Sequence, residues 1–251
     1  MVRRAGAAWG RLRRALVPRR PPPLLPPGAA YRLWAESYDD QPDNLIFALD
    51  EALLRELSSE VDLAGKSVVD VGCGTGRHWA ALEAAAPRRL RGVDSSPEML
   101  ERLRVRHPQA LVDVRTGPTL DGFDDGSADV IVSTLMIGHV PDLEGELREW
   151  RRILAPGGDV VVTDFHPRAF QSGMRRTFAH RGSTFEVRHE LRTTEELRSL
   201  FARAGFEVVR FAEEALDERA RPYLERTGKL HVLGERFATP LVMGFHLRRP
   251  R

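Results

Sequence analysis

The stretch Ser67-Val68-Val69-Asp70-Val71 is apolar and β-branched, and it runs straight into Gly72-Cys73-Gly74-Thr75-Gly76. An apolar strand emptying into a turn this rich in glycine, with the amphipathic segment Arg77–Ala86 behind it, is the opening of a strand–turn–helix unit. The glycines let a ligand approach the backbone, and the following helix aims its amide hydrogens and positive end at an anion. The spacing differs from the dinucleotide fingerprint G-x-G-x-x-G: the third glycine comes one residue early, and Arg77 fills the later place. A pyrophosphate therefore has no special claim on this loop, and a ligand carboxylate fits it equally well.

The rest of the chain repeats the unit. A helix is expected over Tyr31–Glu60, with Leu45, Leu49, Leu53 and Leu57 on one face. Further strands are expected at Leu90–Val93, Ala110–Val114, Asp129–Thr134, Asp159–Thr163, Phe206–Phe211 and Pro240–Leu247. Between them, Ser95-Ser96-Pro97-Glu98 opens a helix with hydroxyl caps, a first-turn proline and a possible-box glutamate. Asp142–Leu154 forms another helix, halted at Pro156-Gly157-Gly158, and Thr193-Thr194-Glu195-Glu196 caps a third. Strand and helix alternating at short intervals specify an α/β domain with a mostly parallel sheet between helices. Phe165–Arg192 and Glu213–Thr239 stand outside the rhythm and read as substrate-side insertions near 165–192 and 213–239.

Asp94 closes the strand after the glycine loop, 20 residues beyond Gly74. An acid at that place can accept hydrogen bonds from both hydroxyls of a ribose. Asp70, just ahead of the loop, can hold loop amides or a ligand ammonium.

Together these segments resemble the class I S-adenosylmethionine (SAM) dependent methyltransferases, in particular the small-molecule group related to ubiquinone and menaquinone methyltransferases. The resemblance runs through Tyr31–Asp39, Val68–Gly76, Gly92–Leu100, Asp125–Ser133, His139–Asp142 and Arg152–Gly158, in that order. It implies a Rossmann-like seven-stranded sheet flanked by helices, six strands parallel and the last, Pro240–Leu247, antiparallel. It implies SAM as cofactor, with Gly72, Cys73 and Gly74 in the cofactor loop beside Asp70. Asp94 and the adjacent Ser95 would hold the ribose, Met99 would pack on the adenine, and Tyr38 would close over the site. One departure concerns the adenine amino group: Thr116-Gly117-Pro118-Thr119-Leu120 carries no acid where the family often has one, which leaves backbone near Gly117 for that contact.

Absences narrow the acceptor. Ser133–His139 lacks the Asn/Asp-Pro-Pro-aromatic pattern of enzymes that methylate base amino groups, and no paired-glutamate loop is present. The default acceptor is a small molecule, lipid-like or carboxylate-bearing. His139, just past the fourth strand, and His166, just past the fifth, are the candidate general bases, since an imidazole titrates near neutrality. Tyr31, Met136, Arg175 and Arg176 are candidate acceptor contacts, the two arginines as a bidentate clamp for a carboxylate or phosphate. No Cys/His spacing suits a metal. Two other readings share the pattern: a non-catalytic SAM-binding or scaffold protein, and a nicotinamide oxidoreductase, which the glycine spacing disfavours.

Residues 1–28 read as a basic, proline-rich extension without fixed structure, and 29–251 as the methyltransferase domain. Eight arginines and no acid lie in the first 35 residues, whereas the remainder is net acidic, so a whole-domain nucleic-acid footprint is not expected. Residues 1–20 carry one short amphipathic stripe. It fits either a solvated tail or a weak membrane-surface contact, and no apolar run is long enough for stable membrane insertion. A single cysteine fits a cytoplasmic location, at most peripheral to a membrane. Nothing in the sequence fixes the oligomeric state.

Overall fold

The strand that feeds the glycine loop, β2 (Ser67–Val71), is buried at all five positions, because helices cover both faces of a parallel sheet. A computed structural model of the chain describes residues 21–41, 44–115, 117–226, 228, 230, 234 and 237–251, for Arg219 and Pro222 the backbone alone. Thr116 and the expected amphipathic stripe over residues 1–20 lie outside these residues.

Seven strands form the main sheet: β2, β3 (Arg89–Asp94), β4 (Leu111–Val114), β5 (Ala128–Thr134), β6 (Leu154–Phe165), β9 (Glu207–Ala215) and β10 (Pro240–Arg248). Their order is β4-β3-β2-β5-β6-β10-β9. β10 slots between β6 and β9, antiparallel to both, while the other described pairings are parallel. The expected seven-stranded α/β sheet with an antiparallel last strand is thus the observed one. The order reverses between β2 and β5, and that switch point places the carboxyl ends of both strands beside one crevice.

The helix expected over Tyr31–Glu60 is two helices, α1 (Pro27–Trp34) and α2 (Leu45–Ser58). Pro42 lacks the amide a continuous helix needs. Asn44 restarts the helix, its side chain accepting from the amides of Ile46 and Phe47. After the glycine loop comes α3 (Trp79–Ala84), then α4 (Pro97–Arg106) behind β3. Ser96 caps α4 through the Met99 amide and donates to Glu98, so the hydroxyl serves a simple cap without a reciprocal box. α5 (Leu143–Ile153), capped by Asp142, buries Leu143, Leu147, Trp150 and Ile153. α7 (Thr194–Arg203) has a full capping box between Thr193 and Glu196.

Two expectations about the ends of the domain change. Leu24–Leu25 forms a short strand, β1, that pairs in parallel with β8 (Ser183–Val187), which in turn pairs antiparallel with β7 (Thr177–His180). Leu24 and Leu25 therefore belong to the folded domain, paired with the first insertion. The second insertion packs Leu216, Ala220 and Leu224 into the core around Phe165 and Phe170. It contains β9's end and α8 (Arg221–Arg226), and none of its described residues lines the crevice. Among the described residues of the two insertions, those that reach the cavity belong to the first, which carries α6 (Pro167–Gln171), β7 and β8. Its Phe178 and Val187 join Ala30, Trp34, Tyr38 and Met99 in a small separate apolar cluster that roofs the start of α4. No helix among the described residues is long and apolar enough to cross a membrane.

Candidate functional site

The carboxyl ends of β2, β3 and β5, the loop after β4 and the roof built by α1 and the first insertion enclose a cavity of about 400 Å³. It is lined by Gly72, Gly74, Asp94, Ser95, Met99 and Gly117 on one side and by Tyr31, Tyr38, Met136, His139 and Arg176 on the other. A larger cavity of about 630 Å³ lies between α2 and α3, and none of the candidate residues lines it.

The glycine loop is held in a conformation side chains rarely adopt. Gly72 and Gly74 have φ of +77° and +54°. The Gly72 amide donates to the Val93 carbonyl, and the Gly74 amide donates to Asp94 Oδ2 at 2.8 Å. Asp94 Oδ1 accepts from the Ser96 amide, also at 2.8 Å. Burial pushes the Asp94 carboxyl above the ordinary range, and these amides pull it back. Each oxygen keeps a lone pair for a ligand hydroxyl. A β-carbon on Gly72 would stand 2.4 Å from Met136 Cγ, so the close approach of β2 and β5 depends on a bare backbone there. Gly72→Ala combines a strained φ with a clash, and should lower stability by about 2–4 kcal/mol in urea unfolding. A loss under about 0.5 kcal/mol would show that the loop relaxes freely.

Two loop neighbours do not line the cavity. Asp70 lies beneath the loop, accepting from Trp79 Nε1 at 2.9 Å. Burial pushes its carboxyl up to about 7, against the pull of that indole. Raised above its unfolded value, Asp70 favours the folded state on the acid side of 7 and loses that contribution as pH rises through it. Trp79→Phe removes the donor that the ionised carboxylate needs. It should therefore cost about 1–3 kcal/mol more at about pH 8.5 than at about pH 6, read from urea midpoints at both. An equal loss at the two values would dissociate Trp79 from the ionisation of Asp70. Cys73 points the other way, its sulfur against Gly92, and burial pushes its thiol up, which suits packing and not nucleophilic attack.

Opposite the loop, the Tyr31 hydroxyl lies 2.9 Å from His139 Nε2, and His139 Nδ1 lies 3.0 Å from the Arg188 carbonyl. A carbonyl only accepts, so Nδ1 carries the proton and the Nε2 lone pair receives the Tyr31 O–H. Burial, then the Arg176 charge and the neighbouring His189, hold His139 well below the ordinary histidine value. It is a neutral imidazole with its basic nitrogen toward the cavity. Burial likewise raises Tyr31, which stays a phenol. Gly138 permits this arrangement: a β-carbon there would lie 2.0 Å from the His189 ring that backs His139.

The other candidate base is not in the cavity. His166 caps α6, with Nδ1 accepting from the Arg168 amide and Nε2 3.2 Å from Glu213. The insertion of β10 beside β6 carries it to the β9 side. The expected arginine clamp also divides. Arg175 is half-exposed, donating to the Phe170 and Met174 carbonyls and facing Glu186. Only Arg176, the residue before β7, turns inward. Neighbouring residues in an extended segment point to opposite sides, which precludes a paired clamp.

One ion pair on the cavity wall was not among the sequence candidates. Arg115, after β4, and Glu146, in the first turn of α5, form an ion pair at the end of the cavity where Met99 and Gly117 lie. Glu146 also accepts from Trp150. Through this pair an acid lines this end of the cavity from a helix. Its only sequence signal was a charged residue at a helix turn that also carries core leucines, which is common on amphipathic helices.

A Rossmann-like sheet with a glycine loop at the switch point, Asp94 at the next strand end and a roofing amino-terminal helix defines the class I SAM-dependent methyltransferases, with SAM as cofactor. The methyltransferase-domain family model matches residues 44–210, and the chain belongs to that family. It is 31% identical over 137 residues to a ubiquinone biosynthesis O-methyltransferase of Xanthomonas oryzae, covering 52% of this chain and 57% of that protein. It is 36% identical over 118 residues to a demethylmenaquinone methyltransferase of Tropheryma whipplei, covering 46% of this chain and 48% of that one. The chain thus spans about half the length of these curated relatives. Among solved structures, a SAM-dependent methyltransferase of Mesorhizobium loti superimposes with a TM-score of 0.63 at 20% identity, over 80% of this chain and 98% of that one. At that identity the match speaks for the fold.

Proposed function

We propose that the protein transfers the SAM methyl group to a hydroxyl of a small phenol- or quinol-type molecule, with His139 taking up the acceptor's proton. The observation that carries this reading is the Tyr31–His139 hydrogen bond, with the basic nitrogen turned into the same cavity as Gly72 and Asp94. The quinone-directed relatives support the acceptor class.

The residues present fit the cofactor. Gly72 leaves the backbone bare where a side chain would collide, and Asp94 offers its remaining lone pairs to a ribose. Ser95, Met99, Gly117 and the Arg115–Glu146 pair line one end of the cavity and would hold the nucleobase, and Tyr38 would cover the methionine part. SAM, when bound, supplies an electrophilic methyl group that leaves a sulfonium for a nucleophilic oxygen. The protein's tasks are then positioning and proton removal. The Tyr31 hydroxyl takes the acceptor's proton as it gives its own to His139 Nε2, and the Arg188 carbonyl holds Nδ1–H so that the imidazolium forms in place. The roof of α1, β7 and β8 keeps water from the site.

The test is calorimetry with S-adenosylhomocysteine followed by transfer of labelled methyl to a panel of phenols and quinols. Micromolar binding and labelled ethers are expected. No binding would refute the cofactor site, whereas binding with no transfer to any hydroxyl would refute the acceptor class. Tyr31→Phe should lower turnover by about 100-fold or more with S-adenosylhomocysteine affinity unchanged, the lower end of what a proton-transfer group contributes. Unchanged turnover would put His139 in direct contact with the acceptor.

A further inference from the structure

Arg176 is 3% exposed, yet its Nε and Nη1 hydrogen-bond no partner. The guanidinium is packed among rings, 5.0 Å from the centroid of Phe165 and 5.7 Å from those of Tyr31 and Trp34. Asp164, the acid whose charge acts on Arg176, is already engaged: its oxygens accept from the amides of Gly138 and Phe165, and it faces His189 at 3.9 Å. Cation–π contacts return roughly 0.5–2 kcal/mol each. Removing a full charge from water costs several kilocalories per mole even after relaxation, and two buried donors without acceptors add to that. A side chain placed this way is short of an anion.

The surroundings say where the anion would come from. The Arg176 backbone is fixed, since its carbonyl accepts from the Val187 amide in the small sheet at 2.8 Å. Its side chain lines the cavity and lies over the Tyr31 ring whose hydroxyl meets His139. It is therefore on the proton-accepting wall, and the loop of Gly72 and Gly74 serves the other. We propose that Arg176 is the seat for a carboxylate of the methyl acceptor, so that the substrate is a small hydroxy-carboxylic acid held by its anion while its hydroxyl meets Tyr31. This rests on the methyltransferase reading above and narrows it. Arg176 lines the cavity with Nε and Nη1 unpaired, and a carboxylate seated on its cavity-facing edge would supply the hydrogen-bonded counter-charge it lacks. Binding would also relieve His139: the Arg176 charge holds its basicity down, and an anion on Arg176 screens that charge at the moment a base is needed.

The probes are 3,4-dihydroxybenzoate and its amide, 3,4-dihydroxybenzamide, titrated by calorimetry into the full chain saturated with S-adenosylhomocysteine. The expected result is at least tenfold tighter binding of the carboxylate by the wild type, with that preference gone in Arg176→Gln and S-adenosylhomocysteine affinity unchanged. Equal binding, or none, of the two probes by the wild type overturns the proposal without recourse to any variant. A preference that survives in Arg176→Gln overturns it too. So does a variant that loses S-adenosylhomocysteine at least tenfold while still binding methylthioadenosine normally, because the seat would then serve the cofactor's own carboxylate. A wild type that fails to bind S-adenosylhomocysteine would instead refute the methyltransferase reading itself. If Arg176 only glues rings together, the substitution lowers the melting temperature and the wild type shows no preference for the carboxylate.

Discussion

Replacing His139 by alanine should slow methyl transfer roughly 10²- to 10⁴-fold, the range that a positioned general base contributes. S-adenosylhomocysteine should still bind within about threefold of wild type, a difference under about 0.7 kcal/mol, because His139 faces the acceptor side of the cavity. The pH profile gives a second reading of the same residue. A histidine held well below its ordinary value of 6.5 is already neutral there, so the wild-type rate should stay flat through neutrality and fall only on the acid side of 6.5. In the alanine variant that acid limb should vanish. Turnover that survives the substitution with its acid limb intact would place the base elsewhere, or leave the reaction needing none.

Asp94→Ala should weaken S-adenosylhomocysteine binding by about 100-fold or more, since two hydrogen bonds to a charged group are worth about 1.5–3 kcal/mol each. The substitution also strips acceptors from the Gly74 and Ser96 amides, so some loss of stability accompanies it. Asp94→Asn keeps one of the two backbone acceptors and sets its NH2 against the other amide, so comparing its unfolding with its affinity shows how much of the alanine effect is structural. Calorimetry and urea unfolding on both variants supply the comparison. Normal cofactor binding by Asp94→Asn and Asp94→Ala alike would mean that the ribose is held by other groups.

Much of the site was legible because its residues are local. Gly72, Gly74, Asp94, Ser95 and Met99 lie on two consecutive strand–turn–helix units, where the alternation of strand and helix alone places each at a carboxyl end. The departures all involve contacts across the fold. His166 and His139 looked equivalent, each just past a strand, and only the antiparallel insertion of β10 beside β6 takes His166 out of the cavity. Arg175 and Arg176 looked like one clamp until the small sheet fixed the backbone and sent them to opposite sides. Arg115 and Glu146 are 31 residues apart, and nothing in either's own neighbourhood announces the pair.

The sequence by itself determined the repeating α/β units, the bare loop at Gly72–Gly76 and the acid at Asp94. Hydrophobic period and glycine placement act over a few residues, and so they can be read along the chain. Only the tertiary structure decided which histidine lines the cavity, which arginine loses its water, and that Leu24–Leu25 pair with the first insertion that helps to roof the site. Those outcomes depend on burial and on partners 100 or so residues away, as with the 108-residue separation of Tyr31 and His139. Desolvation of a charge or an imidazole is set by what surrounds it in space, and no local pattern records that.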